Sequence, residues 1–224
     1  REGAYDYISK PFHDIEEVSF TIQRWRKQQS LESKLSEYAS LYREMMQNMK
    51  IRTFLAVDVS GSTSIKNGED PFIVHYSFKA YQEFIESTVK AHGGIIHNTS
   101  GDGAMACFEQ ADNAVAAAQQ ILQEISTFNT QKNQLDHEFK LRIGIHTGEV
   151  LINSDGVVSE MFAESLDIAG HLQKSANENG VLASNVAVES VSNPSLFIPA
   201  DLQIDGLATF RLGTLDSQEV RTGY

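Results

Sequence analysis

Two aspartates follow apolar or glycine-rich segments at points where the chain must turn. Asp58 ends the apolar run FLAV and is followed by Gly61, Ser62 and Thr63, whereas Asp102 lies between two glycines in the segment SGDG. Carboxylate oxygens are the hard ligands that Mg2+ and Mn2+ require, and a glycine-containing turn offers backbone N–H groups to phosphate oxygens. The pattern predicts a site for a metal-bound triphosphate, although each aspartate by itself could also cap its own turn.

Alternating strands and helices would position these side chains. Apolar runs predict strands at residues 53–57, 95–98, 104–108, 141–145, 150–152, 181–183 and 209–212, and amphipathic periodicity predicts helices at 74–92, 111–126 and 166–176. The polar residues 129–138 lack apolar periodicity and are predicted to form a surface loop. We therefore expect a mixed α+β domain.

The segment 13–49 contains neither Gly nor Pro and is rich in helix-forming residues, which predicts a helix almost throughout. Apolar residues spaced by four and three form a seam typical of a parallel coiled-coil dimer: Leu31, Leu35, Tyr38, Tyr42, Met45 and Met49. An earlier seam from Ile15 to Trp25 is out of phase, so we expect a change of register near Gln28. The alternative is a single amphipathic helix that folds back on its own globular domain.

Composition excludes some classes of partner. Thirty acidic against 18 basic side chains give a formal charge of −12, which repels nucleic acids and anionic membranes. The sequence has no apolar stretch of about 20 residues and no secretory signal. We expect a cytoplasmic protein without a nucleic-acid partner or membrane insertion. Because the first residue is Arg1 and not Met, we also expect a piece of a longer protein.

Three motifs together resemble the catalytic domain of class III nucleotide cyclases: FLAVDVSGST at 54–63, SGDGAMACF at 100–108 and LRIGIHTGEV at 141–150. The resemblance covers residues 50–215 and leaves a tail at 216–224. It implies a ferredoxin-like βαββαβ core and a homodimer whose two subunits share each active site. Asp58 and Asp102 fall on the two aspartates that, in the family, bind two divalent ions. Mg2+ or Mn2+ and a nucleotide, ATP or GTP, are therefore the implied ligands.

The half of the site that the family takes from the partner subunit departs from the pattern. Asn98 falls where the family has a base-recognising lysine. Aligning LDIAGHLQKSA, residues 166–176, with the family helix puts Asp167 at the transition-state asparagine and His171 at the arginine. Glu160 falls near the acidic base-reading position, although it could equally be a solvated loop charge.

These departures decide between two hypotheses. Loss of an arginine that meets the developing charge can cost a factor of about 10³ to 10⁵ in rate, and Asp167 adds negative charge beside a polyanionic substrate. The sequence favours a degenerate cyclase-homology domain that acts as a dimeric, nucleotide-binding output module. The alternative is an active adenylate or guanylate cyclase, supported by Asp58 and Asp102. Lys174, one helical turn beyond His171, could replace the missing charge, although an ordinary surface lysine is the simpler interpretation.

The first twelve residues, REGAYDYISKPF, resemble the end of a response-regulator receiver domain. In that family the lysine of the KPF motif, here Lys10, contacts the phosphorylated aspartate, and an aromatic residue matching Tyr7 reorients. The resemblance implies an upstream receiver domain and a histidine kinase, with 13–49 as the linker to the output domain. The alternative is a proline-terminated strand of no special origin. The GG(D/E)EF signature of diguanylate cyclases, which also follow receivers, is absent from the sequence.

Overall fold

The computed structural model describes residues 15–152 and 164–213. The chain separates into two units between Asn48 and Met49. Within the described residues, the first unit is helix α1 (Ile15–Asn48), which runs for 34 residues without interruption. It contains no Gly or Pro to break the hydrogen-bond ladder. The helix continues through Gln28, and both the change of register there and the pairing of the seams with a second chain stay predictions.

The described part of the second unit is a seven-stranded sheet with helices on both faces. Its elements in chain order are β1 (Met49–Val59), α2 (Ser62–Lys66), α3 (Pro71–Ala91), β2 (Ile95–Ser100), β3 (Gly103–Phe108), α4 (Ala111–Gln131), β4 (Leu141–Leu151), α5 (Glu164–Ser175), β5 (Gly180–Ser184), α6 (Asn185–Glu189), β6 (Phe197–Ile204) and β7 (Leu207–Leu212). None of the described helices is long and apolar enough to cross a membrane.

The strand order is β2-β3-β1-β4-β5-β7-β6. Only β4 and β5 pair in parallel, and the other neighbouring strands are antiparallel. The elements β1, α3, β2, β3, α4 and β4 form a βαββαβ unit whose strands lie in the order β2-β3-β1-β4. This confirms the predicted α+β fold with a ferredoxin-like core.

Helices α3 and α4 cover one face of the sheet, and α5 covers the other face over β1 and β4. Alternation along β1 places Leu55 and Val57 in the large core with α3 and α4. Phe54 and Ala56 point to the opposite face, where they pack with Ala169 of α5. Asp58 follows Phe54 and Ala56 in this alternation and therefore lies on the α5 face of the sheet, near the end of the strand.

Four local predictions were wrong. Met49, predicted to be part of the helical seam, begins strand β1 and pairs with Leu151. Strand β4 continues through residues 147–149, where an end and a turn were predicted, because β1 pairs with it over 11 positions from Met49 to Val59. Helix α4 extends to Gln131, into the predicted loop. Strand β6 was missed because it contains Pro199, which argues against a central strand; it lies at the edge of the sheet, where proline is tolerated.

Candidate functional site

The structure brings Asp58 and Asp102 together. Asp58 lies opposite Gly103 in the β1–β3 ladder, and the amide of Val59 donates to the carbonyl of Asp102 at 3.0 Å. A Cβ on Gly103 would lie 3.0 Å from the carbonyl oxygen of Val57, so a side chain there would push the two strands apart. The close antiparallel pairing holds both carboxylates at one end of the sheet.

The turn after β1 adds a hydroxyl to this site. Gly61 adopts φ +66°, the left-handed conformation that glycine favours, and α2 begins at the next residue. The hydroxyl of Ser62, a buried residue, donates to Oδ2 of Asp102. Thr63 is exposed. Of the three residues predicted in this turn, Ser62 is the one whose side chain bonds to a site carboxylate.

Sequence reasoning missed Arg142. Its side chain donates two hydrogen bonds to Asp58, from Nε to Oδ1 at 3.2 Å and from Nη2 to Oδ2 at 2.9 Å. Arg142 is also the direct partner of Asp58 in the β1–β4 register. One feature of the sequence could have indicated it. Arg142 is the single charged residue in the apolar segment that begins β4, and strand alternation places it on the same face of the sheet as Asp58. However, the sequence does not give the register of β1 against β4, so it could not show that Arg142 lies opposite Asp58.

The donor set fits Mg2+ or Mn2+. A carboxylate offers about four lone-pair positions; Arg142 uses two on Asp58 and Ser62 uses one on Asp102. The remaining positions could bind a hard cation, whose other ligands would be water and phosphate oxygens. Within residues 15–152 and 164–213, no group of three or more His, Cys, Asp or Glu side chains could hold a metal. The metal role of the two aspartates stays a prediction.

A buried tyrosine lies near the two aspartates. Tyr81 of α3 is 1% exposed, and its ring contacts Phe128 and Phe139 edge-on. Burial, and then the charges of Asp58 and Asp102, raise the pKa of its hydroxyl far above the usual range. The hydroxyl stays protonated and has no hydrogen-bond partner among the described residues.

Helix α5 lies directly on β4 because of a glycine. A Cβ on Gly144 would overlap the carbonyl oxygen of Ala169 and the backbone of Gln173. The end of this helix is tied to the aspartate site, since Nη1 of Arg142 donates to the carbonyl of Lys174 at 3.3 Å. Lys174 therefore contributes its backbone to this contact.

The residues predicted for the partner-derived half of the site are not bonded to the aspartates. Asn98 is exposed on β2 opposite Met105. Asp167 is exposed on α5. His171, also on α5, is bonded through Nδ1 to Oδ2 of Asp205 at 2.7 Å, a contact that the sequence did not predict. Glu160 lies outside the described residues.

This geometry agrees with the comparison with known families. A model of the adenylate and guanylate cyclase catalytic domain matches residues 6–201. The chain belongs to this family. The match covers the described sheet up to β6, including both aspartates of the cyclase domain.

Curated relatives of this cyclase domain come from Rhizobium meliloti (strain 1021). Putative adenylate cyclase 3 is 24% identical over 136 residues, which cover 61% of this chain and 22% of that protein. Adenylate cyclase 1 is 26% identical over 161 residues, which cover 66% of this chain and 24% of that protein. The aligned part of the chain thus spans about a quarter of the length of these relatives.

Solved cyclase structures share the fold. The guanylyl cyclase Cya2 superposes with a TM-score of 0.63 at 21% identity, over 73% of this chain and 92% of that one. The adenylyl cyclase CyaB from P. aeruginosa superposes with a TM-score of 0.64 at 15% identity, over 74% of this chain and 95% of that one. The guanylate cyclase domain of RhGC from Catenaria anguillulae was solved in complex with GTP. It superposes with a TM-score of 0.61 at 18% identity, over 74% of this chain and 97% of that one.

Proposed function

We propose that this cyclase-homology domain is a dimeric signalling output module that binds ATP or GTP with Mg2+ or Mn2+ and is degenerate in catalysis. The observation that supports the proposal best is the difference between the surroundings of the two aspartates and those of His171. Asp58 and Asp102 are adjacent and supported by Arg142 and Ser62, whereas His171, at the position of the arginine, is paired with a carboxylate.

The binding half has the chemistry that a metal–triphosphate complex needs. Two carboxylates would hold the divalent ion, and the ion when bound would neutralise phosphate charge and orient the triphosphate. A guanidinium beside them suits bidentate contact with phosphate oxygens. As a metal takes over the oxygens of Asp58, Arg142 would be released from that carboxylate and could donate to the phosphates.

The catalytic half lacks the groups that stabilise charge in the family. Asp167 is exposed and anionic at the position of a neutral asparagine, and it would oppose the approach of a triphosphate. The pairing of His171 with Asp205 gives at most a net-neutral group where the family has a cation. Asn98 retains a side-chain amide that can bond a purine edge, but it brings no charge.

An active adenylate or guanylate cyclase is the second candidate. Arg142 favours it, because a guanidinium next to the aspartate pair supplies a positive charge that sequence reasoning had not counted. In this case the products would be the cyclic 3′,5′-monophosphate and pyrophosphate. Catalysis would then depend on Arg142 as well as on Asp58 and Asp102.

Exposed apolar surface supports the dimer. Ile95 is 71% exposed and pairs with Cys107, so the two share a face of the sheet, as do Asn98 and Met105. On α1, Leu35 and other seam residues are exposed in the same way. A second copy could cover both surfaces.

The wider role of the domain is part of the same proposal. The motif ending in Lys10 and Pro11 supports an upstream receiver domain, phosphorylated by a histidine kinase in the cytoplasm. Helix α1 (Ile15–Asn48) would then carry the geometry of a receiver dimer to the cyclase-homology domain. The motif lies outside the described residues.

Titration calorimetry with nonhydrolysable ATP and GTP analogues plus Mn2+, followed by an assay for cyclic AMP and cyclic GMP, tests the proposal. Binding without product, lost in Asp58→Ala and kept in Asp201→Ala, is the expected result; Asp201 is exposed and carries an equal charge. Product formation that Asp58→Ala abolishes would establish the second candidate instead. No binding at all would reject the nucleotide and leave a dimerisation module.

A further inference from the structure

The pair formed by His171 and Asp205 joins α5 to the turn between β6 and β7. Asp205 and Gly206 form a two-residue connection with φ angles of +50° and +78°, and the residues before and after them, Ile204 and Leu207, pair directly. Such Asp-Gly hairpin turns have a well-defined backbone. The carboxylate is therefore held in a fixed position next to the helix, and Nδ1 of His171 lies 2.7 Å from it.

This contact determines which nitrogen of the ring carries the proton. An ionised carboxylate can only accept hydrogen bonds, so Nδ1 of His171 must be the donor. In the neutral ring the single proton then lies on Nδ1, and Nε2 carries a lone pair. Nε2 of His171 has no hydrogen-bond partner among the described residues, and the side chain is 50% exposed.

The two protonation states would affect an incoming phosphate in opposite ways. With a lone pair on Nε2, the ring presents an acceptor to another acceptor, which is repulsive. When the ring gains a proton, Nε2 becomes a charged donor, and hydrogen bonds to charged groups contribute about 1.5 to 3 kcal/mol. A histidine without a carboxylate partner could place its one proton on Nε2 and donate without being charged.

We propose that Asp205 is a positioning residue that makes contact between His171 and the phosphates of a bound nucleotide depend on protonation of the imidazole. Nucleotide affinity then rises as the pH falls and the imidazole gains a second proton, and is lost as the pH rises again. The inference rests on the proposed nucleotide binding. It assigns Asp205 a role that no motif in the sequence indicated.

The other charged groups around His171 do not take over the effect of Asp205 on the imidazole. On α5, Asp167 and Lys174 lie one turn to either side and have opposite charges. Among the elements packed against the helix, β1 contributes Lys50, Arg52 and Asp58, β4 contributes Arg142, Glu149 and the buried His146, and β6 contributes Asp201, while β5 has no charged residue. Arg142 is paired with Asp58. Burial lowers the pKa of His146 to about 4, although the charge of Asp205 raises it in part, so His146 is mostly neutral above pH 5.

Nuclear magnetic resonance of the imidazole nitrogens tests the tautomer without any nucleotide. We expect neutral His171 to carry its proton on Nδ1 in the wild type. In Asp205→Gly, which keeps a residue suited to positive φ, the proton should shift toward Nε2, with Asp205→Asn intermediate. The exposed His75 of α3 should not change in either variant. An Nε2 proton in the wild type would overturn the inference.

Calorimetry with a nonhydrolysable ATP or GTP analogue plus Mn2+, from pH 8 to pH 5, tests the consequence. Relative to His171→Ala at each pH, wild-type affinity should rise about tenfold or more, as expected for 1.5 to 3 kcal/mol. Asp205→Gly should show a rise about fivefold smaller than that of the wild type, because its neutral ring can already donate a hydrogen bond that contributes about 1 kcal/mol. His171→Arg should bind tightly at every pH. Equal profiles in wild type and Asp205→Gly would overturn this inference alone, whereas no binding by any variant would overturn the proposed function with it.

Discussion

The side chain of Arg142 donates to both carboxylate oxygens of Asp58, at 3.2 Å and 2.9 Å. The two side chains are 27% and 23% exposed, so the pair is only partly screened by water. Strand register makes this contact unavoidable, because the two residues are direct partners in neighbouring strands. A proposed metal ligand is thus occupied by a cation, and a metal ion must compete with it.

Replacing Arg142 with alanine should change two affinities in opposite directions. Mn2+ alone should bind more tightly, by about fivefold, if displacing the guanidinium costs about 1 kcal/mol. Mn2+ with a nonhydrolysable nucleotide should bind at least about tenfold more weakly, because the phosphates lose a charged donor. Calorimetry with the metal alone and with the analogue measures both. Arg52→Ala, which removes the same charge from a pair with Glu109, should change neither, and a parallel loss of both affinities in Arg142→Ala would contradict this account.

Two glycine-to-alanine variants should have opposite effects on stability. Gly144→Ala would place a Cβ inside the backbone of α5, so we expect a loss of about 2 to 4 kcal/mol in the free energy of unfolding. Gly170→Ala, within α5, meets no atom within 4 Å and should gain up to about 1 kcal/mol from helix propensity. Urea denaturation of both proteins gives the comparison. Equal stability of Gly144→Ala and wild type would show that α5 does not lie this close to β4.

The buried His146 should make stability depend on pH. Burial lowers its pKa from 6.5 to about 4, so between these values the unfolded chain binds a proton that the folded protein does not. The free energy of unfolding should therefore fall by up to about 3 kcal/mol as the pH drops from 6.5 to 4, and His146 should add no pH dependence above that interval. Thermal unfolding of His146→Gln should show a smaller slope than wild type. The exposed His75→Gln serves as the control and should keep the full slope.

The hydroxyl of Tyr81 should cost stability. It is buried without a hydrogen-bond partner among the described residues, and such a group carries a penalty of about 1 to 3 kcal/mol. We expect Tyr81→Phe to be about 1 kcal/mol more stable by urea denaturation. Ser77→Ala is the contrasting variant, because the hydroxyl of Ser77 accepts from the amide of Gln134 at 3.0 Å and its loss should destabilise. If Tyr81→Phe unfolds more easily than wild type, the hydroxyl has a partner.

The sequence was sufficient for the fold and for the neighbouring positions of the two aspartates, whose metal role stays a prediction. Apolar alternation and glycine turns are local properties, and they predicted the strands that end at Asp58 and begin after Asp102. The length of β4 was not predictable in this way, because Thr147 and Gly148 continue the strand through hydrogen bonds to β1, which lies about 90 residues earlier in the chain. Edge strand β6 (Phe197–Ile204) was missed for a similar reason: Pro199 argued against a strand, and the pairing with β7 that defines it is a tertiary contact.

The charge balance of the site was decided only by tertiary structure. From the sequence alone, Arg142 is one exception in an apolar strand, and Asp205 is an ordinary turn residue. Register places the first on Asp58, and the close packing of α5 allows the second to reach His171. Local patterns specify which residues form an element, whereas the partners of a charged side chain depend on which distant elements become neighbours. The sequence therefore determined the cyclase fold and the positions of its two aspartates, and the structure determined that Arg142 is the partner of Asp58.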